Sequence, residues 1–174
     1  DWILWLEQRP KEQGRTTALI RPWRQKACLP YELTPYPIDL RTKFHGYGGA
    51  PLTAAINESG LIFTWIDSND NSLWMRSWFC EQYNQKSSSF QLIPKIESIC
   101  LSKKQNSYLA GGVIDLEKNT WIGLMEDDNR DYIVSYSLEK TNQNPKIIYS
   151  SKGFLGYLAL NSQDKKLAWI EWDK

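Results

Sequence analysis

The sequence has one histidine, three cysteines without C-x-x-C spacing, and almost no net charge, formally +1. Each shortage excludes a class of function. A zinc site of the common kind needs several Cys and His ligands at close spacing, and His45 stands alone, so no metal is expected. A Ser-His-Asp triad needs its histidine beside a serine in a Gly-x-Ser-x-Gly elbow, and no such elbow occurs. Neither a P-loop nor a dinucleotide glycine fingerprint is present, so no cofactor is expected. Phosphate binding needs a clustered excess of Lys and Arg. With 21 basic residues against 20 acidic ones, no nucleic acid and no membrane surface is expected as a partner. No apolar run approaches the ~20 residues that span a bilayer. Cys28, Cys80 and Cys100 fit free thiols in a reducing cytoplasm, with a disulfide between two of them as the alternative. In a cytoplasmic protein the sequon Asn57-Glu58-Ser59 carries little weight. The chain opens at Asp1-Trp2 inside an apolar stretch, as an excised or processed product would.

What is abundant is aromatic: nine Trp and nine Tyr, residues that suit half-buried pleated surfaces. Four short apolar segments share one pattern and end in an acid. They are Ile3-Leu4-Trp5-Leu6-Glu7, Phe63-Thr64-Trp65-Ile66-Asp67, Ile122-Gly123-Leu124-Met125-Glu126 and Ala168-Trp169-Ile170-Glu171. Their centres lie roughly 45 to 60 residues apart, the period of a propeller blade. The last three are each preceded by another apolar segment and a polar turn: Asn57-Glu58-Ser59-Gly60, Glu117-Lys118-Asn119 and Asn161-Ser162-Gln163-Asp164-Lys165. Such turns supply left-handed dihedrals and local hydrogen bonds, so each pair reads as a hairpin. Two further short strands follow each of the first three segments.

The repeating unit is therefore four antiparallel strands. The expected fold is all-β, a partial β-propeller of about three blades, incomplete at both ends. The blades are expected near 1–40, 48–95 and 108–150, with the start of a fourth at 154–174. One blade cannot bury both faces of its sheet, so blades stack on their neighbours. A β-sandwich is the competing all-β architecture. The stretch 93–104 reads either as strand or as a short helical turn.

The densest local signal is Arg41-Thr42-Lys43-Phe44-His45-Gly46-Tyr47-Gly48-Gly49. Glycines beside aromatics indicate a tight chain path. One reading has this loop present His45 and Tyr47 to a ligand in the propeller channel, with Arg41, Gly48 and Gly49 shaping it. The other has a packed loop whose His45 hydrogen-bonds backbone. Glu126-Asp127-Asp128 could hold a cation or an amine, or form a solvated turn. Arg21, Arg24 and Lys26 around Trp23 offer a cation–π pair or a solvated edge.

Four stretches resemble the N-terminal propeller of the prolyl oligopeptidase family of serine peptidases, in its bacterial dipeptidyl-aminopeptidase/acylaminoacyl-peptidase-like branch. Trp5-Leu6-Glu7-Gln8-Arg9-Pro10 with Gly14-Arg15-Thr16 is similar to that branch's opening blade. Residues Arg41 to Gly49 resemble its arginine-threonine and histidine-glutamate-tyrosine-glycine-glycine motif, with Gly46 in place of the glutamate. Trp121-Ile122-Gly123 with Glu126-Asp127 resembles its third-blade strand, although Met125 and Asp128 depart from it. Leu167 to Asp173 resembles the strand after a serine-proline-aspartate-glycine turn, of which Asn161-Ser162-Gln163-Asp164 is a degraded version. The resemblance implies a missing α/β-hydrolase domain in cis that carries the catalytic triad, and short peptides as substrates of the parent. It places no catalytic residue in this chain.

The implied role is noncatalytic: a segment that gates or filters the access of short peptides to a separate hydrolase domain. A stand-alone TolB-like or WD-type interaction scaffold is the alternative. A third class, a propeller lyase or glycosidase, would require two acids converging on a pocket. An open arc of blades exposes apolar faces and strand edges, so self-association is expected.

Overall fold

A computed structural model describes residues 2–23, 28–58, 60–82, 90–104, 106–128 and 130–173, without the side chains of 80–82, 90 and 91. Thirteen strands in this part of the chain form four antiparallel sheets. Sheet 1 holds β1 (Trp2–Arg9), β2 (Arg15–Pro22) and β3 (Tyr31–Glu32). Sheet 2 holds β4 (Leu52–Asn57), β5 (Gly60–Asp67), β6 (Ser72–Gln82) and β7 (Phe90–Cys100). Sheet 3 holds β8 (Tyr108–Asp115), β9 (Thr120–Glu126), β10 (Asp131–Ser137) and β11 (Lys146–Ser151). Sheet 4 holds β12 (Phe154–Asn161) and β13 (Lys166–Trp172). Strands neighbour one another in chain order, and β4 lies against β8 and β8 against β12. The first strands of sheets 2, 3 and 4 thus meet in order, as they do around a propeller axis. The architecture is a partial β-propeller whose ring is not closed.

Burial follows the period of two along each second strand. In β5, Leu61, Phe63 and Trp65 pack with Ala18, Ile20 and Leu40, between sheets 1 and 2. The alternate residues Ile62 and Ile66 join Met75, Leu109, Trp121 and Val134 between sheets 2 and 3. In β9, Trp121 and Met125 belong to that second core. Ile122 and Leu124 face the third, with Phe44, Ile133, Leu155 and Trp169. Each middle strand is apolar throughout because each of its faces meets a different neighbour.

The glycine of Trp121-Ile122-Gly123 has a packing cause. A Cβ at Gly123 would lie 1.9 Å from Trp121 Cη2, and one on its pairing partner Gly112 2.3 Å from Trp121 Nε1. The buried indole occupies the space that two side chains would take.

The stretch 93–104 is strand as far as Cys100, not a helical turn. Its apolar residues Ile93, Ile96 and Ile99 have helical spacing, but register shifts in the pairing with β6 at 75/77 and 77/78 absorb it. Pro94 is tolerated because β7 is an edge strand. Neither Cys28 nor Cys100 is in a disulfide, while Ser59 and the Cys80 side chain lie outside the described residues. Among the described residues no helix is long and apolar enough to cross a membrane.

Candidate functional site

The segment from Leu40 to Ala50 joins sheets 1 and 2, yet it is fastened to sheet 3. Thr42 Oγ1 donates to the carbonyl of Leu109 in β8 at 2.6 Å, and Gly111 N–H donates to the Ala50 carbonyl at 2.8 Å. Between these anchors Phe44–Gly46 form a 3-10 turn. His45 and Gly46 both take left-handed backbone angles, with φ of 53° and 78°. Gly48 is also left-handed, and a Cβ at Gly49 would come within 2.8 Å of Ala110 Cβ on β8. The glycines Gly48 and Gly49 let the loop lie flat on β8.

This path carries His45 to the junction of sheets 3 and 4. Its backbone N–H donates to Glu126 Oε2, at the end of β9, at 2.5 Å. Its ring Nε2 lies 2.6 Å from Asp131 Oδ2, at the start of β10. The same oxygen accepts the N–H of Leu155, in β12, at 2.8 Å. One carboxylate therefore ties the loop, sheet 3 and sheet 4 together. The His45 side chain is 5% exposed and that of Asp131 is not exposed at all. Phe44 stacks on the imidazole at 3.9 Å between ring centroids, and Phe154 meets it edge-on at 4.7 Å. The nitrogen and carboxylate oxygens of His45, Glu126 and Asp131 lie within 4.8 Å of one another.

The residues singled out in the sequence separate. His45 and Glu126 come together. Tyr47 is 86% exposed and its ring meets the buried imidazole of His45 edge-on at 6.3 Å, so of the two only Tyr47 is presented to solvent. The packed-loop reading had the His45 ring bonding backbone; among the described residues its hydrogen-bond partner is the Asp131 carboxylate. Asp127 turns away, accepting the Arg130 N–H at 3.0 Å and the Tyr132 hydroxyl at 2.9 Å, which closes the turn between β9 and β10. The hydrogen bond to Asp127 raises the Tyr132 hydroxyl above the ordinary tyrosine value. Arg41 pairs with Asp39, outside the His45 cluster. Burial alone would push the Asp39 carboxyl up, but hydrogen bonds from Arg41, the Thr16 N–H and Ser68 outweigh it and hold the carboxyl low. Trp23 is exposed, and Arg24 and Lys26 lie outside the described residues.

Asp131 was not marked by any motif. Its one signal is an acid at the head of the apolar strand Asp131-Tyr132-Ile133-Val134, and its contact with His45 spans 86 residues of chain.

The repeated acids at the ends of second strands have a common use. Asp67 accepts the Asp39 N–H from the linker behind sheet 1, Glu126 the His45 N–H, and Glu171 the hydroxyls of Tyr149 and Ser151 in sheet 3. Each of these three fastens its own sheet to chain that precedes it. A cleft of about 260 Å³ opens elsewhere, between sheets 2 and 3, beside Met75, Trp78, Lys95 and Glu139. It contains none of the candidate site residues named from the sequence.

No family model matches the chain, and no curated protein matches it significantly. Solved structures do. A puromycin-hydrolysing peptidase of Mycobacterium tuberculosis superposes with a TM-score of 0.76 at 20% identity, over 99% of this chain and 25% of its own. A puromycin hydrolase, alone and as a variant complexed with PGG, matches with the same TM-score at 17% identity, over 99% of this chain and 26% of the other. This is the fold of a stretch of those peptidases. They are of the prolyl oligopeptidase family, the family that the four motifs resemble. The chain spans about a quarter of their length.

Proposed function

We propose that this chain is the noncatalytic propeller portion of a prolyl-oligopeptidase-family serine peptidase, and that it filters access of short peptides to a separate α/β-hydrolase domain. The superposition over 99% of the chain carries the reading, because the likeness covers every sheet and their order. The filter is steric. Sheets cemented by three apolar cores form a rigid wall, and a narrow passage in such a wall admits extended oligopeptides and rejects folded domains. The seven residues named from the sequence act within this wall. His45, Gly48, Gly49 and Glu126 fix the loop at the junction of sheets 3 and 4. Arg41 and Asp127 brace neighbouring turns, and exposed Tyr47 is free to touch a passing peptide.

The test is the size dependence of hydrolysis by the product of the longest reading frame containing this chain. Cleavage of dipeptide and tripeptide amides that falls at least tenfold for unfolded chains of about 30 residues supports filtering. Equal rates on both would refute it. We further propose that, in isolation, the uncovered face of sheet 4 drives self-association. A concentration-dependent sedimentation coefficient is expected, and a monomer at all concentrations would contradict it.

A further inference from the structure

We propose that His45, Glu126 and Asp131 form a site for one divalent transition-metal ion, Zn²⁺ by the chemistry of its donors. The three groups come from three separate segments, the loop at 41–49, the end of β9 and the start of β10. Their donor atoms already lie within 4.8 Å of one another. One imidazole nitrogen with carboxylate oxygens is a donor set that Zn²⁺ takes, at ~2.0–2.2 Å from each.

A second observation, independent of the grouping, points to a ligand. Asp131 Oδ1 belongs to a side chain with no exposed surface and has no hydrogen-bond partner among the described residues. Its sister oxygen, Oδ2, is already used by His45 and by the Leu155 N–H. Buried carboxylate oxygens are ordinarily satisfied, and this one sits on the carboxyl group that faces the imidazole. Two carboxylates, Asp131 buried and Glu126 half-buried, with one imidazole under the aromatic cover of Phe44 and Phe154 make a site with excess negative charge. A dication balances the charge of two carboxylates.

Loading is an exchange. The ion takes the place of any proton on His45 Nε2, which goes to solvent, and binds the Nε2 lone pair of the neutral tautomer that carries its proton on Nδ1. Asp131 Oδ1 becomes a ligand while Oδ2 keeps the Leu155 N–H. Glu126 contributes a carboxylate oxygen. The ion then pins the 41–49 loop to the junction of sheets 3 and 4. The role is structural, and it does not depend on the peptidase reading.

The chain has one histidine, so its two ring nitrogen resonances belong to a known residue, and their couplings to Hδ2 and Hε1 tell Nε2 from Nδ1. The whole chain, stripped with a chelator and dialysed, is titrated with ZnCl₂ and followed by ¹⁵N NMR of the imidazole, with metal content measured after gel filtration. The proposal expects one zinc retained per chain, a large shift of Nε2 saturating at one equivalent, and Nδ1 still protonated. Asp131→Asn should weaken retention at least tenfold while keeping a dispersed amide spectrum. CaCl₂, lacking affinity for imidazole nitrogen, should leave both ring signals in place. Zinc retained with His45 unmoved would assign it to surface carboxylates and overturn the site, as would no retention at all. Both of those results come from the unmutated chain, so misfolding of Asp131→Asn cannot mask them.

Discussion

Strands β9 and β13 occupy the same place in their sheets, carry the same kind of sequence, and end differently. Trp121, Leu124 and Met125 in β9 are buried, because sheet 2 covers one face and sheet 4 the other. In β13 the face toward sheet 3 packs through Leu167 and Trp169, while Ile170 is 54% exposed and Trp172 38%. Burial in this architecture is thus conferred by the neighbouring sheet and not by the strand's own composition. A strand written for two neighbours, with one present, presents an apolar face to whatever comes next.

The sharpest way to break this comparison is to truncate the same kind of side chain in each strand. Trp121→Ala should cost about 3–5 kcal/mol of stability, read from urea unfolding, because it removes a fully buried indole between two sheets. A loss below about 1 kcal/mol would show that sheet 3 does not depend on sheet 2. Gly123→Ala should cost about 1–3 kcal/mol in the same assay, since the added methyl must displace that indole. Ile170→Ala in β13 should change stability by under about 0.5 kcal/mol while reducing self-association in sedimentation. The reverse outcome, a destabilised monomer, would mean that β13 is already covered on both faces.

The smallest expected effect concerns acid. Hydrogen bonds from Ser151, first, and Tyr149 hold the Glu171 carboxyl below the ordinary glutamate value. A carboxyl depressed in the folded state lends stability that is fully present above its unfolded value, about 4.3. That stability is lost as pH falls through the lower folded value. Tyr149→Phe should therefore lower stability slightly at pH 7 and leave it unchanged below the folded value, which flattens the acid limb of a stability-against-pH curve. Because Glu171 is exposed, a large effect at neutral pH would contradict the assignment.

The sheets could be read from the sequence because the signal is local. Ile62 to Ile66 and Ile122 to Met125 are apolar at odd and even positions alike, and the flanking Asn and Asp turns close tight hairpins. The left-handed angles at Asn71 and Asn119 are of the kind those residues tolerate. The stretch 93–104 reads ambiguously because bulges in the pairing with β6 alter which side chains line up. In the His45 cluster, the loop with its positive-φ glycines was visible, but the company it keeps was not. Asp131 meets His45 because a loop leaving sheet 1 bypasses sheet 2's first strand to reach sheet 3. That detour is decided by how sheets stack, and stacking leaves no mark at the acid itself. Arg41, paired with Asp39, and Tyr47, exposed to solvent, are equally prominent in the sequence and add no ligand to the cluster.

The peptidase reading stands or falls most directly on covalent labelling. The product of the longest reading frame containing this chain is treated with a fluorophosphonate, and the modified residue is located by peptide mass spectrometry. We expect one labelled serine, in a Gly-x-Ser-x-Gly elbow outside residues 1–174, with labelling that abolishes hydrolysis of aminoacyl amides. A product that takes up no label and hydrolyses nothing would contradict the account.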